Sequence, residues 1–370
     1  MSESITYAGA GVDTAAGDRA VELMKSAVAR THGPQVVGGV GGFAGLFDVS
    51  ALKDYERPLL ASSTDGVGTK VAIAQQLDKH DTIGFDLVGM VVDDIVVCGA
   101  RPLVMTDYIA TGKVVPERIA DIVRGIALAC EETGTALVGG ETAEHPGLLA
   151  ENEYDVAGAA VGVVEASRLL GPDRVASGDV VIGMASSGLH SNGYSLVRAV
   201  VRHAGWELSR HVDDFGRTLG EELLEPTRLY TRQCLEIADA LGADIKAFSH
   251  VTGGGLGQNL ARVIPAGLTA TVDRSSWTVP PVFQVMQSLG SVPWGDLENT
   301  LNLGVGMVAI VSADAVDKTL ALLAEAGTAG WILGTVAHDD AVAIPSAATV
   351  LSGAKGVTGG RVALNGEYQS

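Results

Sequence analysis

Thr64-Asp65-Gly66-Val67-Gly68-Thr69-Lys70 is a small-residue turn that directly follows an apolar run. It offers a carboxylate, accessible backbone N–H groups, a hydroxyl and an ammonium, which are the groups that hold a metal-bridged triphosphate. The alternative is a helix start, with Asp65 as its N-cap and Lys70 on the surface. We expect a nucleotide site here, formed by Asp65, Gly66, Gly68, Thr69 and Lys70. It is not a Walker loop, because the chain contains no G-x-x-x-x-G-K-[ST].

Two further acidic positions point to a divalent cation. Asp93 and Asp94 interrupt the apolar stretch 88–97, where adjacent carboxylates are costly to bury unless a cation neutralises them. Neighbouring helical residues diverge by about 100°, so only one of the two is expected to face the metal while the other caps or pairs. We favour Asp94 as the metal ligand. Glu141 follows a short apolar strand and is expected in a strand-end loop. The sequence thus predicts that Asp65, Asp94 and Glu141 bind Mg²⁺.

A glycine-rich segment precedes these motifs. Gly39-Val40-Gly41-Gly42-Phe43-Ala44 loosely matches the dinucleotide-binding fingerprint, but about 14 residues before Arg57-Pro58 leave little room for the required helix. We therefore favour a mobile lid in which Gly41 and Gly42 cover phosphates, with a plain glycine linker as the alternative.

Two later turns each separate a strand from a helix. The first is Ser186-Ser187-Gly188-Leu189-His190-Ser191-Asn192-Gly193-Tyr194-Ser195, and the second is Thr252-Gly253-Gly254-Gly255-Leu256-Gly257. Helix-start N–H groups, hydroxyls and an amide at such turns can hold an anionic ligand. The alternative for the second is a simple tight turn.

Composition limits the class of protein. The 370 residues carry a formal net charge of −19, which repels nucleic acid and anionic membranes. No apolar stretch reaches the roughly 18 residues needed to span a bilayer, and the N-terminus lacks a secretory signal. Three widely spaced cysteines suit reduced core thiols. We expect a cytoplasmic enzyme that binds small molecules.

Alternating strand and helix patterns predict a mixed α/β (α+β) fold with two domains. The first spans residues 1–170 and carries the acidic motifs. The second spans 171–345 and carries the two later turns. Residues 346–370, rich in Gly and Ser, are expected to form a flexible extension or an added sheet edge.

The motifs together resemble the phosphoribosylformylglycinamidine cyclo-ligase (AIR synthetase) family. The matching segments, which leave only the last 25 or so residues uncovered, include 7–13, 41–43, 64–70, 80–84, 107–113, 139–144, 154–158, 190–198, 226–228, 250–255 and 302–307. Thiamine-monophosphate kinase, selenophosphate synthetase and the amidotransferase-linked synthetase of the preceding step share the fold. The strings His190–Ser195 and Gly139–Glu144 are more specific to the cyclo-ligase.

The resemblance implies a homodimer that pairs N-terminal sheets and uses ATP and Mg²⁺ to close the ring of formylglycinamidine ribonucleotide. It implies Lys25, Asp94 and His190 as catalytic residues, with His190 as a proton shuttle, and Asp107 as an ATP contact. The substrate residues it implies are His190, Ser191, Asn192, Gly193, Thr252, Gly253, Gly254 and Gly255. A non-catalytic nucleotide-binding protein would be expected to lack some of the acids.

Three positions depart from the family pattern. Asp93 stands where Asn is common, Arg101 where Glu is common, and His145 where Met is common. None removes a group that the chemistry needs. Asp93 could add a metal ligand, and Arg101 could alter the dimer surface.

Overall fold

The computed structural model describes residues 13–39, 41–353, 356–357 and 359–369. The predicted motif residues 7–12 and Val40 lie outside this range. The chain divides into two compact units, residues 1–95 with 101–165 and residues 96–100 with 166–370. Within the described residues no helix is both long and apolar enough to cross a membrane.

The described residues of the first unit form four α-helices and six strands. The helices are α1 (Thr14–Arg30), α2 (Val71–Leu77), α3 (Ile83–Val96) and α4 (Pro116–Thr133). The strands are β1 (Val36–Val37), β2 (Leu46–Phe47), β3 (Pro58–Gly66), β4 (Arg101–Thr111), β5 (Ala136–Glu144) and β6 (Tyr154–Glu165). The helix ends follow local chemistry, because Asp13 caps α1, Pro116 opens α4 and Gly134 ends α4 in the left-handed conformation.

A four-stranded mixed sheet forms the centre of this unit, in the order β3-β6-β4-β5. Only β4 and β5 are parallel. Helix α3 lies against one face of β6, since a Cβ atom on Gly158 would meet Leu87 at 3.3 Å and one on Gly162 would meet Ile95 at 2.6 Å. Small residues in the strand therefore allow the helix to pack closely.

Helices α3 and α4 cross at two glycines. A Cβ atom on Gly84 would lie 1.9 Å from the backbone nitrogen of Ile126, and one on Gly125 would lie 2.1 Å from the carbonyl oxygen of Asp81. Neither position can accept a side chain without separating the helices. This crossing fixes α3, which carries Asp86, Asp93 and Asp94.

The second unit contains a seven-stranded mixed sheet in the order β10-β12-β7-β13-β11-β15-β14, and a separate two-stranded sheet, β8-β9. Its strands are β7 (Val180–Ala185), β8 (His211–Val212), β9 (Arg217–Thr218), β10 (Ile245–His250), β11 (Leu268–Asp273), β12 (Val305–Val311), β13 (Gly330–His338), β14 (Thr349–Ser352) and β15 (Arg361–Asn365). Its helices are α5 (Tyr194–Ala204), α6 (Leu219–Leu223), α7 (Thr231–Leu241), α8 (Gly255–Leu260), α9 (Pro281–Gly290), α10 (Trp294–Glu298) and α11 (Val316–Glu325). Every residue of β12 is buried, as expected for a central strand covered on both faces.

Two local predictions need correction, and the alternative of Asp65 as a helix N-cap is wrong. Residues 346–370 are not simply a flexible extension, because they contribute β14 and β15 to the sheet, which agrees with the alternative of an added edge. Glu141 lies within β5 and not in a loop after it. Asp65 lies within β3 and caps no helix.

Candidate functional site

The register of the first sheet places two predicted carboxylates on one face. Asp65 of β3 and Asp107 of β4 both pair with Gly158 of β6, and Asp107 also pairs with Gly140 of β5. Directly paired residues point to the same side of a sheet. Strands lie about 4.8 Å apart, so Asp65 and Asp107 stand two strands apart on the face that α3 covers. Gly158 and Gly140 occupy the other two positions of this row of paired residues and add no side chain to it.

Asp107 is the more unusual of the two carboxylates. Its Oδ2 atom is buried and has no hydrogen-bond partner among the described residues. Its Oδ1 atom lies over Gly140, where a Cβ atom would approach it to 1.7 Å. Burial raises the pKa of Asp107 from 3.8 to about 7. Such a group is a candidate to accept a hydrogen bond from a ligand or to exchange a proton near neutral pH.

A cavity of about 410 Å³ lies beside Asp107. Its lining includes three parts of the unit: one face of α1, the tip of the β1-β2 hairpin and the residues 137–142 of β5. Of the predicted site residues, Gly41, Gly42, Asp107 and Glu141 line it. The volume falls within the range of about 300–1,000 Å³ that small-molecule sites occupy.

The glycine-rich segment forms the tip of this hairpin. Its β1 and β2 strands pair antiparallel, and a Cβ atom on Gly45 would lie 2.4 Å from the carbonyl oxygen of Val138. Gly45 therefore allows the segment to dock on β5 next to the cavity. Lys25 does not line the cavity; it is exposed on α1, one turn beyond the lining residue Val21.

Lys70 does not sit on the surface. Its Nζ atom donates a hydrogen bond to Oδ1 of Asp86 at 2.7 Å, and both side chains are fully buried. Lys70 follows the Asp65–Thr69 turn directly, so this ion pair ties the turn to α3. Asp86 could not be identified as the partner from the sequence, because α3 lies apart from the turn in the chain.

The three predicted metal ligands do not form one cluster. No group of three His, Cys, Asp or Glu side chains suited to a metal ion occurs in the part of the chain that the structure describes. Glu141 pairs with Tyr108, so strand alternation directs its side chain away from the face of Asp107. Of the adjacent pair on α3, Asp93 is buried and Asp94 is partly exposed.

In the second unit, His190 is held inside the first turn. It adopts a left-handed backbone with φ of 61°, which costs free energy in a non-glycine residue and is common at binding sites. Its Nε2 atom accepts a hydrogen bond from the backbone N–H of Ser187 at 3.2 Å. A Cβ atom on Gly306 would lie 2.6 Å from Cε1 of the ring. This buried ring is better placed to shape the turn than to exchange protons with solvent.

The two turns of the second unit lie side by side. A Cβ atom on Gly253 would lie 3.2 Å from Oδ1 of Asn192. The amide of Asn259 closes the second turn, because its Nδ2 atom donates to the carbonyl oxygens of Thr252 at 3.2 Å and Gly255 at 2.8 Å. The structure thus brings residues 190–193 and 252–255 together. The sequence did not identify Asn259 as a residue of this site, because asparagines with a purely structural role are common within helices.

The fold resembles those of several solved structures. A crystal structure of the hydrogenase maturation protein HypE in complex with ATP matches with a TM-score of 0.64 at 18% identity, covering 97% of each chain. Thiamine-monophosphate kinase from Stenotrophomonas maltophilia matches with a TM-score of 0.63 at 19% identity, covering 93% of this chain and 96% of that one. At these identities the likeness shows the fold alone.

Sequence comparison is more specific. Residues 47–164 match the family "AIR synthase related protein, N-terminal domain", and residues 176–345 match the corresponding C-terminal domain. The phosphoribosylformylglycinamidine cyclo-ligase of Alkaliphilus oremlandii is 47% identical over 333 residues, 90% of this chain and 97% of that protein. That of Sorangium cellulosum is 50% identical over 334 residues, 90% of this chain and 95% of that protein. Together with the mixed α/β fold and the paired glycine turns, this similarity shows that the chain belongs to the phosphoribosylformylglycinamidine cyclo-ligase family.

Proposed function

We propose that this chain catalyses the ATP-dependent cyclisation of formylglycinamidine ribonucleotide to 5-aminoimidazole ribonucleotide, with release of ADP and phosphate, in purine biosynthesis. Near 50% identity along almost the whole length of named cyclo-ligases is the observation that carries this proposal. The amide oxygen of the substrate attacks the γ-phosphorus of ATP, and the bond to ADP breaks. The amidine nitrogen then forms the ring C–N bond while the C–O bond to phosphate breaks.

The first unit binds the nucleotide in this proposal. The cavity beside Asp107 has the size for a small molecule, and Gly41 and Gly42 of the hairpin tip line it. Their backbone N–H groups would bind the phosphates. The turn Asp65–Thr69 serves the phosphates. Lys70 acts through its ion pair with Asp86, which holds that turn, and its direct contact with phosphate stays a prediction.

Magnesium suits the carboxylates of this unit. Mg²⁺ commonly takes one or two protein carboxylates and completes its shell with phosphate oxygens and water, so a three-carboxylate cluster is not required. Asp65 and Asp94 are the proposed ligands. Glu141 lines the cavity from the opposite side of the sheet, and its role as a metal ligand stays a prediction. Bound Mg²⁺ would neutralise charge on the transferring phosphoryl group.

The second unit binds the amidine substrate. The adjacent turns 190–193 and 252–255 offer backbone N–H groups at the starts of α5 and α8, which suit the ribose phosphate. Holding both ends of one molecule in a folded conformation lowers the barrier to ring closure. His190 shapes the first turn, and its role as proton shuttle stays a prediction.

The sheet of the first unit supports a homodimer. The face opposite α3 carries Leu60, 68% exposed, and Tyr108, 40% exposed, with small residues of β6 between them. Exposed apolar sheet faces of this kind are typical of interfaces. We propose that two copies pair through this face, in the cytoplasm.

The test is ADP release by the purified protein with Mg²⁺ and ATP. Formylglycinamidine ribonucleotide is compared with buffer, thiamine monophosphate and selenide. Release only with the first, accompanied by an aminoimidazole product, is the expected result. Turnover with one of the others alone would retain the fold and discard the reaction.

A further inference from the structure

The C-terminal segment 349–369 continues past residue 345, where the match to the family's C-terminal domain ends. Strand β15 pairs parallel to β11, and β14 pairs antiparallel to β15. After β15, the backbone N–H of Val279 donates to the carbonyl oxygen of Gln369 at 3.1 Å. The described residues of this segment therefore form backbone hydrogen bonds with the second unit along most of their length.

A buried polar cluster joins this segment to α10. Arg274 holds both carboxylate oxygens of Glu298, with Nε to Oε1 at 2.7 Å and Nη2 to Oε2 at 2.8 Å. The same guanidinium donates to the carbonyl oxygen of Leu364 in β15 and to Oγ1 of Thr349 in β14, both at 2.7 Å. The hydroxyl of Tyr368 donates to Oε1 of Glu298 at 2.5 Å. Arg274 and Tyr368 thus fix a buried carboxylate from two sides.

Residues 298–302, which we name the platform, support both substrate turns. A Cβ atom on Gly255 would lie 1.8 Å from the carbonyl oxygen of Glu298, and one on Gly193 would lie 2.3 Å from Cδ2 of Leu301. The amide of Asn302 donates to the carbonyl oxygen of Gly188 at 2.9 Å. Because the turns touch the platform without space for a methyl group, a displacement of the platform must displace the turns.

Apolar contacts reinforce the same connection. The ring of Tyr368 packs edge-on against Trp277 at 5.4 Å and lies 5.5 Å from Trp294 at the start of α10. On α8, a Cβ atom on Gly257 would lie 2.3 Å from Cδ1 of Leu351 in β14. The tail therefore contacts α8 directly and the platform through α10.

We propose that the C-terminal segment positions the two substrate turns, with Tyr368 as a positioning residue that acts through Glu298 and the platform. The inference rests on the proposed function, because that function assigns the turns to the amidine substrate. Removing Tyr368 withdraws one donor from a buried carboxylate and opens space beside Trp294, so Glu298 loses its defined position. The turns then hold the substrate less well, whereas the first unit is unaffected.

The experiment compares the wild type with Tyr368→Ala, Tyr368→Phe and the control Val350→Ala. Val350 is on the same segment but is 42% exposed and belongs to no part of the cluster. KM for each substrate and kcat are measured well below the unfolding temperature of every variant. We expect Tyr368→Ala to raise KM for formylglycinamidine ribonucleotide about tenfold, with KM for ATP unchanged. Tyr368→Phe, which keeps the ring, should be intermediate, and Val350→Ala should match the wild type.

Equilibrium binding of formylglycinamidine ribonucleotide without ATP, measured by calorimetry on the same proteins, is the second readout. It separates this inference from the proposed reaction: a wild type that binds the ribonucleotide but releases no ADP fails the reaction alone. Unchanged affinity and KM in Tyr368→Ala would overturn the inference, even if the variant unfolds at a lower temperature. If Tyr368→Ala does not fold, unchanged values in Tyr368→Phe would overturn it.

Discussion

The Nζ atom of Lys70 lies 2.7 Å from Oδ1 of Asp86, and both side chains are fully buried. Removing Lys70 leaves the carboxylate of Asp86 in the interior without this ion-pair partner. Lys70→Met should therefore lower the free energy of unfolding by about 3–5 kcal/mol. The double variant Lys70→Met/Asp86→Leu, which removes both charges, should lose less. Urea unfolding of the three proteins measures this, and equal midpoints for wild type and Lys70→Met would contradict it.

Asp107 should make stability depend on pH. Its pKa of about 7 in the folded chain exceeds the ordinary value of 3.8, so between pH 4 and 7 the folded state binds more protons than the unfolded state. Its contribution to the free energy of unfolding therefore falls as pH rises through this window and is constant above it.

Asp107→Asn removes this contribution. Urea unfolding of the nucleotide-free proteins gives the free energy of unfolding of the variant minus that of the wild type. This difference should be larger at pH 8 than at pH 5. The same variant should bind ATP more weakly, because the cavity loses its carboxylate. If the difference between variant and wild type were equal at the two pH values, Asp107 would be ionised in the folded protein at both.

Gly255 and Gly205 offer a matched pair for testing the second turn. Both have left-handed backbones, with φ of 68° and 65°, but only a Cβ atom on Gly255 meets a neighbour. Gly205→Ala should cost about 1 kcal/mol in stability and leave KM unchanged. Gly255→Ala should also raise KM for formylglycinamidine ribonucleotide about tenfold or more. Unaltered substrate affinity in a folded Gly255→Ala protein would remove this turn from the binding site.

Leu60 tests the proposed dimer. Leu60→Asp places a charge on the open face of the sheet and should shift the protein from dimer to monomer in sedimentation experiments. Leu128→Asp is the control, because Leu128 is 42% exposed on α4 and should leave the mass unchanged. A Leu60→Asp protein that sediments like the wild type would place the interface elsewhere.

His190 should contribute to recognition more than to proton transfer. Since its Nε2 atom accepts the N–H of Ser187, His190→Ala should raise KM for formylglycinamidine ribonucleotide while kcat falls little. The dependence of kcat on pH should keep the shape of the wild type. A fall in kcat of about 10²-fold or more, the range of a general acid or base, would restore the proton-shuttle assignment.

The amino-acid sequence indicated most of the fold because strong local signals coincide with element ends. Pro116 opens α4 and Gly134 follows its last residue, which are the usual signals for the start and the end of a helix. The mixed α/β class and the family were confirmed. The sequence left residues 346–370 open between a flexible extension and an added sheet edge, because the pairing of β15 with β11 joins segments far apart in the chain and local periodicity carries no information on such pairing.

The site was predictable in its residue types but not in its arrangement. Asp65 and Asp107 share a row of the sheet because of strand register, which the sequence alone does not give. Glu141 was expected in a loop because Gly139 and Gly140 suggest a turn, yet both glycines continue β5. There, Gly140 makes room for the carboxylate of Asp107. The burial of Lys70 likewise depends on α3, which follows in the chain.

The position of β15 also bears on how the protein is synthesised. Translation proceeds from the N-terminus, so β11 leaves the ribosome before either of its partners, and β15 emerges after β13. Until then β11 has an unpaired edge, which is a template for association with other chains. A ribosome that stops before residue 361 would release a chain with this edge open, so β15 also protects β11 from association with other chains.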